Sequence, residues 1–176
     1  MEETDLVMLT ETKGKPPALE GFTWYSKERK AGKGGGVAIA AKDNLTNYIS
    51  QPDVVESDEV EISWIELNQP GRNKIFLGCY YGLQEKTELE NVITQFEQLK
   101  TQVSMMNHKG AVILAGDFNA KIETQDQPIS RNGKVLEEFL KDTNMEQINH
   151  WSTTGKWTRV NRKKPSESSG MPRRSG

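Results

Sequence analysis

An acidic and an amide side chain directly follow the most apolar segment of the sequence. Ala111–Ala115 is an uninterrupted apolar run, and Asp117 and Asn119 come just after it in the tetrapeptide Gly-Asp-Phe-Asn. Near the start of the chain, the apolar run Leu6–Leu9 leads to Glu11 in the same way. Carboxylates bind Mg²⁺ and amides donate to phosphate oxygens, so the pattern favours metal-assisted chemistry on a phosphate ester.

Each of these side chains has a role that such chemistry needs. We expect Glu11 to bind the metal ion, because it follows a buried strand whose backbone is rigid. Asp117 is expected to orient or deprotonate the attacking water, and Asn119 to hold a phosphate oxygen through its amide. If the extended backbone persists, positions 117 and 119 project to the same side, which would bring both side chains to one substrate.

Simpler interpretations exist for the same residues. Gly-Asp-x-Asn is common in an Asx turn at the end of a strand, and a single glutamate such as Glu11 is usually a solvated acid. The triplet Gly34–Gly36 precedes a strand and lacks the Gly-Lys-Ser/Thr ending, so it does not predict a nucleotide-binding loop. The single Cys79 excludes a disulfide within the chain and a cysteine-based zinc site, which is typical of a reducing, intracellular setting.

Length and composition predict one soluble domain. The 176 residues are 34% apolar, and 23 basic against 25 acidic residues give a net charge of −2. That balance excludes a strong general attraction for polyanions. Basic residues are concentrated towards the C-terminus, so we predict a domain over 1–162 and a disordered basic tail over 163–176. No apolar stretch is long enough to cross a bilayer, and we expect no membrane association.

The elements that must position the candidate residues follow from the apolar pattern. Apolar runs predict strands over 6–9, 22–25, 37–41, 60–67, 74–81 and 111–115. A Pro-Gly turn separates the fourth and fifth of these, which we expect to pair as an antiparallel hairpin.

Apolar residues at spacings of three and four predict two amphipathic helices, over 87–106 and 134–142. Thr87 and Glu90 have the spacing of a capping box at the start of the first helix. Strands outnumber helices, and the two alternate only in the second half of the chain. A mixed sheet or a pair of sheets therefore fits better than a doubly wound parallel sheet.

Five segments, taken in order, resemble the motifs of the endonuclease/exonuclease/phosphatase superfamily. They are Leu9–Lys13, Gly34–Ile39, Gly78–Tyr81, Gly116–Ala120 and Gly155–Arg159. Within that superfamily the sequence is most similar to the endonuclease domain of LINE-type retroelements, which encode a reverse transcriptase. The resemblance implies a deoxyribonuclease-I-like α/β fold: a four-layered sandwich of two mixed or antiparallel sheets flanked by helices, incomplete in this chain.

The resemblance also implies roles for the residues in the motifs. Glu11 matches the glutamate that binds a divalent cation, Mg²⁺ or Mn²⁺, and Asp117 and Asn119 match the pair that positions the nucleophilic water and the scissile phosphate. Tyr80 matches the tyrosine that hydrogen-bonds the phosphate. Tyr81 is a second candidate for that role, because the proline that usually follows the tyrosine is missing.

DNA is the partner that the resemblance implies. Trp157 resembles an aromatic residue beside a loop that contacts the nucleic acid, and phosphate contacts are expected from Lys13, Lys33 and Arg159. A retroelement origin would place the chain with a reverse transcriptase, in the nucleus if the host is a eukaryote. The sequence leaves the oligomeric state and the preferred DNA site open.

The sequence departs from the superfamily's pattern in three respects. Thr10 stands where the usual glutamine precedes the metal ligand. The first-strand asparagine ligand and the C-terminal Ser-Asp-His motif have no counterpart, and no Asp-His pair occurs in these 176 residues. Loss of a general acid or base costs on the order of a hundredfold to ten-thousandfold in rate. We therefore expect a DNA-nicking phosphodiesterase whose activity is impaired.

Other functions fit the same sequence. The chain could be an inactive remnant that binds nucleic acid, or a phosphomonoesterase or lipid phosphodiesterase of the same superfamily. It could also act as an interaction module, because missing strands would leave sheet edges open to a partner.

Overall fold

The computed structural model describes residues 4–27, 35–54, 57–122 and 128–148. Every described helix and strand lies in a compact unit, Met1–Met145. A second unit, Glu146–Gly176, contains the predicted tail 163–176, which lies outside the described residues.

Strands outnumber helices in the described part of the chain, as predicted. They are β1 (Leu6–Thr10), β2 (Phe22–Lys27), β3 (Val37–Lys42), β4 (Ile49–Ser50), β5 (Glu61–Leu67), β6 (Ile75–Tyr81) and β7 (Ala111–Asp117). The helices are a short 3-10 helix (Asp43–Tyr48) and two α-helices, α1 (Leu89–Asn107) and α2 (Arg131–Thr143). All six predicted strands and both predicted helices are present. Only β4 and the 3-10 helix were not predicted, since segments this short carry no readable period.

The strands form two separate sheets. One has the order β1-β3-β2 and is antiparallel throughout, and the other has the order β4-β5-β6-β7. The predicted hairpin is confirmed, with Glu61 opposite Tyr81 and Leu67 opposite Ile75. Strands β6 and β7 are parallel, so α1 supplies the crossover that parallel pairing requires.

Two apolar clusters place the sheets and helices in layers. One lies between the four-stranded sheet and the two helices, and it includes Phe76, Tyr80, Phe96 and Phe139. The other joins the two sheets, and it takes Leu77, Cys79 and Tyr81 from β6. Successive residues of β6 therefore face opposite layers, because side chains alternate across a strand. The fold class predicted from the sequence, a mixed α/β arrangement with two sheets and helices, is confirmed.

The helix boundaries differ in detail from the prediction. The residue that caps α1 is Glu88, without a side-chain hydrogen bond to the helix, so the proposed capping role of Thr87 is wrong. Helix α2 begins at Arg131, three residues earlier than predicted, because the Ser130 hydroxyl caps it by accepting from the Gly133 amide at 3.0 Å. Neither α-helix of the described residues is long and apolar enough to cross a membrane.

Truncation of Phe96 will test the helix-facing core. Phe96 is buried against Tyr80 and Phe139, so Phe96→Ala should lower the free energy of unfolding by about 3–5 kcal/mol through lost packing and a residual cavity. Ile93 lies on the same helix but is 44% exposed, and Ile93→Ala should cost less than about 1 kcal/mol. Guanidinium unfolding of both variants gives the comparison, and equal costs would contradict this core assignment.

Candidate active site

The ends of three strands meet at one rim of the sandwich. Tyr81 ends β6 and is paired in register with Asp117, the last residue of the parallel strand β7. Strand β1, which packs against both, ends one residue before Glu11. Three of the sequence motifs therefore deliver their polar residues to one edge of the two packed sheets.

A hydrogen bond across the two sheets fixes the centre of this rim. The Tyr81 hydroxyl donates to Oε1 of Glu11, which follows the edge strand of the other sheet. Two residues earlier on β6, the Cys79 thiol donates to the Leu9 carbonyl at 3.3 Å. The end of β1 is thus held against β6 at two successive inward-facing positions.

The Tyr81 hydroxyl is also the point at which Glu11 and Asn119 converge. Burial is the main cause that raises the pKa of Tyr81, and the hydrogen bond and negative charge of Glu11 raise it further. Hydrogen bonds with Gln84 and Asn119 act on the Tyr81 pKa in the opposite direction. The structure therefore brings together residues that are separated by about one hundred positions in the sequence.

Asp117 and Asn119 are joined by a tight turn rather than by an extended backbone. The Asn119 amide N–H donates to Oδ1 of Asp117 at 2.9 Å, and Asn119 has a positive φ of 47°. The extended backbone on which the same-side projection depended therefore does not persist to Asn119. The Asx turn that Gly-Asp-x-Asn also predicted is present, and it orients the Asp117 carboxylate.

The Asn119 turn is anchored to the loop that follows β6. Its Nδ2 donates to the Gly82 carbonyl at 2.8 Å, and the Gly82 amide donates to the Asp117 carbonyl at 2.8 Å. Gly116, the penultimate residue of β7, has a φ of 133° and lies so close to β6 that a Cβ there would be 2.0 Å from the Tyr80 carbonyl oxygen. The glycine of the Gly-Asp-x-Asn motif is required by this contact.

Tyr80 does not face the rim, and the phosphate-binding role predicted for it has to be corrected. It is fully buried on the helix-facing side of the sheet, with its ring centroid 4.9 Å from that of Phe118 and 6.1 Å from that of Phe96. Its hydroxyl donates to Oε1 of Gln95 at 2.7 Å, and burial raises its pKa. Alternation along β6 leaves Tyr81, the second candidate, beside Glu11.

The glycine-rich segment before β3 supports the loop that carries Glu11. The amides of Thr12 and Lys13 donate to the carbonyls of Gly36 and Gly35, at 3.1 and 2.8 Å. The buried Glu61 accepts from the Gly36 amide through its Oε1. Sequence reasoning missed Glu61, although an acid at the start of an apolar strand was a visible signal.

Positive φ angles at residues other than glycine are concentrated at this rim. Of four such residues in the described part of the chain, Glu11, Lys13 and Asn119 lie here, and Asn144 caps α2. A left-handed backbone at these residue types is disfavoured and persists only where surrounding contacts impose it. Such strain is frequent at sites that bind or transform a ligand.

The donor atoms at the rim are oxygens, which fits a magnesium ion better than a transition metal. Glu11 is exposed and would supply one carboxylate ligand to an ion that keeps several of its waters. Residues 4–27, 35–54, 57–122 and 128–148 contain no group of three or more His, Cys, Asp or Glu side chains that could hold a metal ion. The Lys13 side chain is exposed beside Glu11, while Lys33, Trp157 and Arg159 lie outside the described residues.

Comparison with solved structures identifies the fold. The chain is similar to the catalytic domain of Xenopus laevis APE2, with a TM-score of 0.60 and 17% sequence identity over 78% of this chain and 59% of that one. The chain has a deoxyribonuclease-I-like fold. A second structure, ANGEL2, a 2′,3′-cyclic phosphatase, matches with a TM-score of 0.47 and 19% identity over 66% of this chain and 39% of that one.

Identity this low shows the fold alone. The chain spans about three fifths of the length of the APE2 chain. The sequence matches no protein-family model and no curated protein. Residue roles in this deoxyribonuclease-I-like chain are therefore argued from its own side chains.

Substitution of Glu11 should change the ionisation of Tyr81. The charge of Glu11 disfavours the tyrosinate, so Glu11→Gln should lower the Tyr81 pKa. The pKa should stay above that of a solvated tyrosine, because burial also raises it. Tyrosine ¹³Cζ NMR titration measures this directly. Glu20→Gln removes an exposed charge elsewhere in the chain and should leave the Tyr81 titration unchanged. An unchanged Tyr81 pKa in Glu11→Gln would contradict the contact.

Alanine at Gly36 should disturb the Glu11 loop. Gly36 and Gly71 both have positive φ, but a Cβ at Gly36 would lie 2.3 Å from Thr12 Oγ1, whereas a Cβ at Gly71 meets nothing within 4 Å. Each substitution should cost about 1–2 kcal/mol for its backbone conformation. Gly36→Ala should cost about 1–3 kcal/mol more for overpacking, measured by chemical unfolding.

A second substitution isolates the clash. Adding Thr12→Ala to Gly36→Ala should recover part of the lost stability, because it removes the atom that the new Cβ meets. Equal costs at Gly36 and Gly71, or no recovery in the double variant, would contradict this packing.

Proposed function

We propose that this chain is a divalent-metal-dependent phosphodiesterase that nicks DNA, and that it is the endonuclease domain of a retroelement. The observation that carries the proposal is the convergence of Glu11 and Asn119 on the Tyr81 hydroxyl, beside the end of β7 that bears Asp117. Support comes from the deoxyribonuclease-I-like fold and from the order of the five sequence motifs.

Glu11 would hold the metal ion, Mg²⁺ or Mn²⁺. When bound, such an ion neutralises charge on the phosphoryl oxygens and stabilises the departing oxygen. Glu11 suits this task because it lies on a loop whose backbone is fixed by the carbonyls of Gly35 and Gly36. Its carboxylate is already held by the Tyr81 hydroxyl, which limits the positions available to it.

Asp117 would take the proton from the attacking water or orient that water. It is exposed, and the Asn119 amide bonded to one of its oxygens restrains the carboxylate. Carboxylates positioned in this way act as general bases when a water lies within hydrogen-bond distance. Asn119 would keep one Nδ2 hydrogen on the Gly82 carbonyl and turn the other from the Tyr81 hydroxyl to a phosphate oxygen.

Tyr81 would turn its single hydroxyl hydrogen from Glu11 to the phosphate when metal ion and substrate bind. Its pKa is raised, mainly by burial, so it keeps that proton at neutral pH and remains a donor. A neutral donor beside a polyanionic substrate avoids the repulsion that a tyrosinate would create. We assign to Tyr81 the phosphate-binding role that the motif resemblance implied for Tyr80.

Basic and aromatic residues around the rim would bind the DNA backbone. Lys13 is adjacent to the Glu11 loop, and we propose Lys33, Arg159 and Trp157 as further contacts. Fusion to, or expression with, a reverse transcriptase and a nuclear location in a eukaryotic host belong to the same proposal. The sequence lacks the first-strand asparagine and the Ser-Asp-His motif, and the reduced rate of DNA nicking that we expect from this stays a prediction.

Plasmid nicking will test the proposal. Purified chain should convert supercoiled plasmid to the open circle in the presence of Mg²⁺, and EDTA should stop it. Asp117→Asn should lower the nicking rate by about a hundredfold or more, because it removes the proposed base and leaves the turn intact. Asp53→Asn makes the same chemical change at an exposed aspartate before β5 and should have no effect.

The outcomes separate the competing functions. Nicking that survives EDTA or Asp117→Asn would refute the proposal. Duplex binding without nicking would identify an inactive nucleic-acid-binding domain, and that binding should weaken steeply with added salt. Release of phosphate from a monoester or a lipid, but not nicking, would identify another hydrolase with this fold.

A further inference from the structure

Asn132 is a buried amide that none of the sequence motifs includes. It is the second residue of α2 and only 1% exposed. Its Nδ2 donates to two main-chain carbonyls, that of Leu83 at 2.9 Å and that of Asn119 at 3.1 Å. Both hydrogens of the amide therefore have partners, and both partners belong to loops of the candidate site.

The two carbonyls belong to one hydrogen-bonded ring. Asn119 donates to Gly82, Gly82 donates to Asp117, and the Asn132 amide bridges from Asn119 to Leu83, the residue after Gly82. The loop after β6 and the turn after β7 are therefore connected to each other directly and also through the first turn of α2.

The Asn132 side chain is not needed to begin the helix. Ser130 caps α2 by accepting from the Gly133 amide. A buried amide is costly unless its hydrogens are bonded, and an apolar residue would fill the same space without that requirement. The specific partners of Asn132, rather than helix formation, account for an amide at this position.

The bond to the Asn119 carbonyl acts on a disfavoured conformation. Asn119 has a φ of 47°, which residues other than glycine rarely adopt without support. In this conformation its N–H reaches Asp117 and its side chain reaches Gly82. Fixing the carbonyl of Asn119 restricts the rotation of the peptide that follows, and so favours this arrangement of the turn.

We propose that Asn132 is the positioning residue of the site: it holds the Asn119 turn against the loop after β6, and thereby aims Asp117 and Asn119 at the substrate. The proposal rests on the function proposed above for those two residues. Asn132 itself is buried behind the turn and would not touch the phosphate.

A double-mutant cycle on the full chain tests the coupling. Asn132→Ala should lower the nicking rate by about 10- to 100-fold, as is usual when a group supporting a catalytic side chain is lost. If Asn132 acts through Asn119, the double variant Asn119→Ala/Asn132→Ala should be no slower than Asn119→Ala alone. Independent, multiplicative losses would overturn the proposal.

Gln102 supplies the matched control. It is another buried carboxamide, 3% exposed, and lies on α1. Its side-chain oxygen accepts from the Trp64 indole at 2.9 Å. Gln102→Ala should lower stability but, at a temperature where the variant is fully folded, leave the nicking rate within about twofold of the parent chain. A loss equal to that of Asn132→Ala would show a general effect of core damage and overturn the proposal.

Amide hydrogen exchange gives a measurement that does not depend on activity. In Asn132→Ala, the Asn119 and Gly82 amides, which donate to Asp117, should exchange at least about tenfold faster, while the Leu99 amide in α1 is unchanged. Unaltered exchange at the turn would overturn the positioning role even if nicking declined. Should the parent chain not nick DNA, the proposed function fails and exchange alone decides the role of Asn132.

A smaller change keeps the test decisive if Asn132→Ala does not fold. Asn132→Ser leaves room for a water molecule to satisfy the two carbonyls, so the chain should fold while the turn loosens. The same faster exchange at Asn119 and Gly82 is expected. Normal protection there in a folded Asn132→Ser chain would overturn the proposal.

Discussion

The hydrogen bond from the Tyr81 hydroxyl to Glu11 is the contact on which the candidate site depends, because it joins the ends of two different sheets. Packing between sheets is nondirectional and would tolerate small shifts of one sheet over the other. Together with the thiol contact from Cys79 to Leu9, this bond fixes the end of β1 at one place on β6. The Glu11 carboxylate, which follows β1, is thereby held close to Asn119, which follows β7.

Buried side-chain amides of the two α-helices hold the loop that follows β6. Gln95 of α1 accepts from the Tyr80 hydroxyl and the Leu83 amide, and donates to the Glu59 carbonyl at 3.1 Å. Asn132 of α2 bonds the opposite face of the same loop. Because buried polar groups are costly when unpaired, these amides specify one position of the loop after β6 rather than simply adding stability.

The rim therefore combines local strain with global support. Glu11, Lys13 and Asn119 adopt left-handed backbone conformations that their own side chains disfavour. The carbonyls of Gly35 and Gly36 accept from Lys13 and Thr12 and so hold the loop that carries Glu11, and the Asp117 turn holds Asn119. A site organised in this way is preorganised before any ligand arrives, which is what positioning of a water and a phosphate requires.

The sequence by itself determined the α/β class, the hairpin, and the strand ends that carry Glu11 and Asp117. Apolar runs and the polar residues that bound them are local signals. Adjacent positions of a strand such as Tyr80 and Tyr81 must face opposite sides, but only packing decided that Tyr80 lies against the helices and Tyr81 beside Glu11. Asn132 was equally invisible, since its partners lie 13 and 49 positions away. Alternation along a strand is a local property that the sequence determines. The segment that packs against each face of the strand is determined only by the tertiary structure, because it comes from a distant part of the chain.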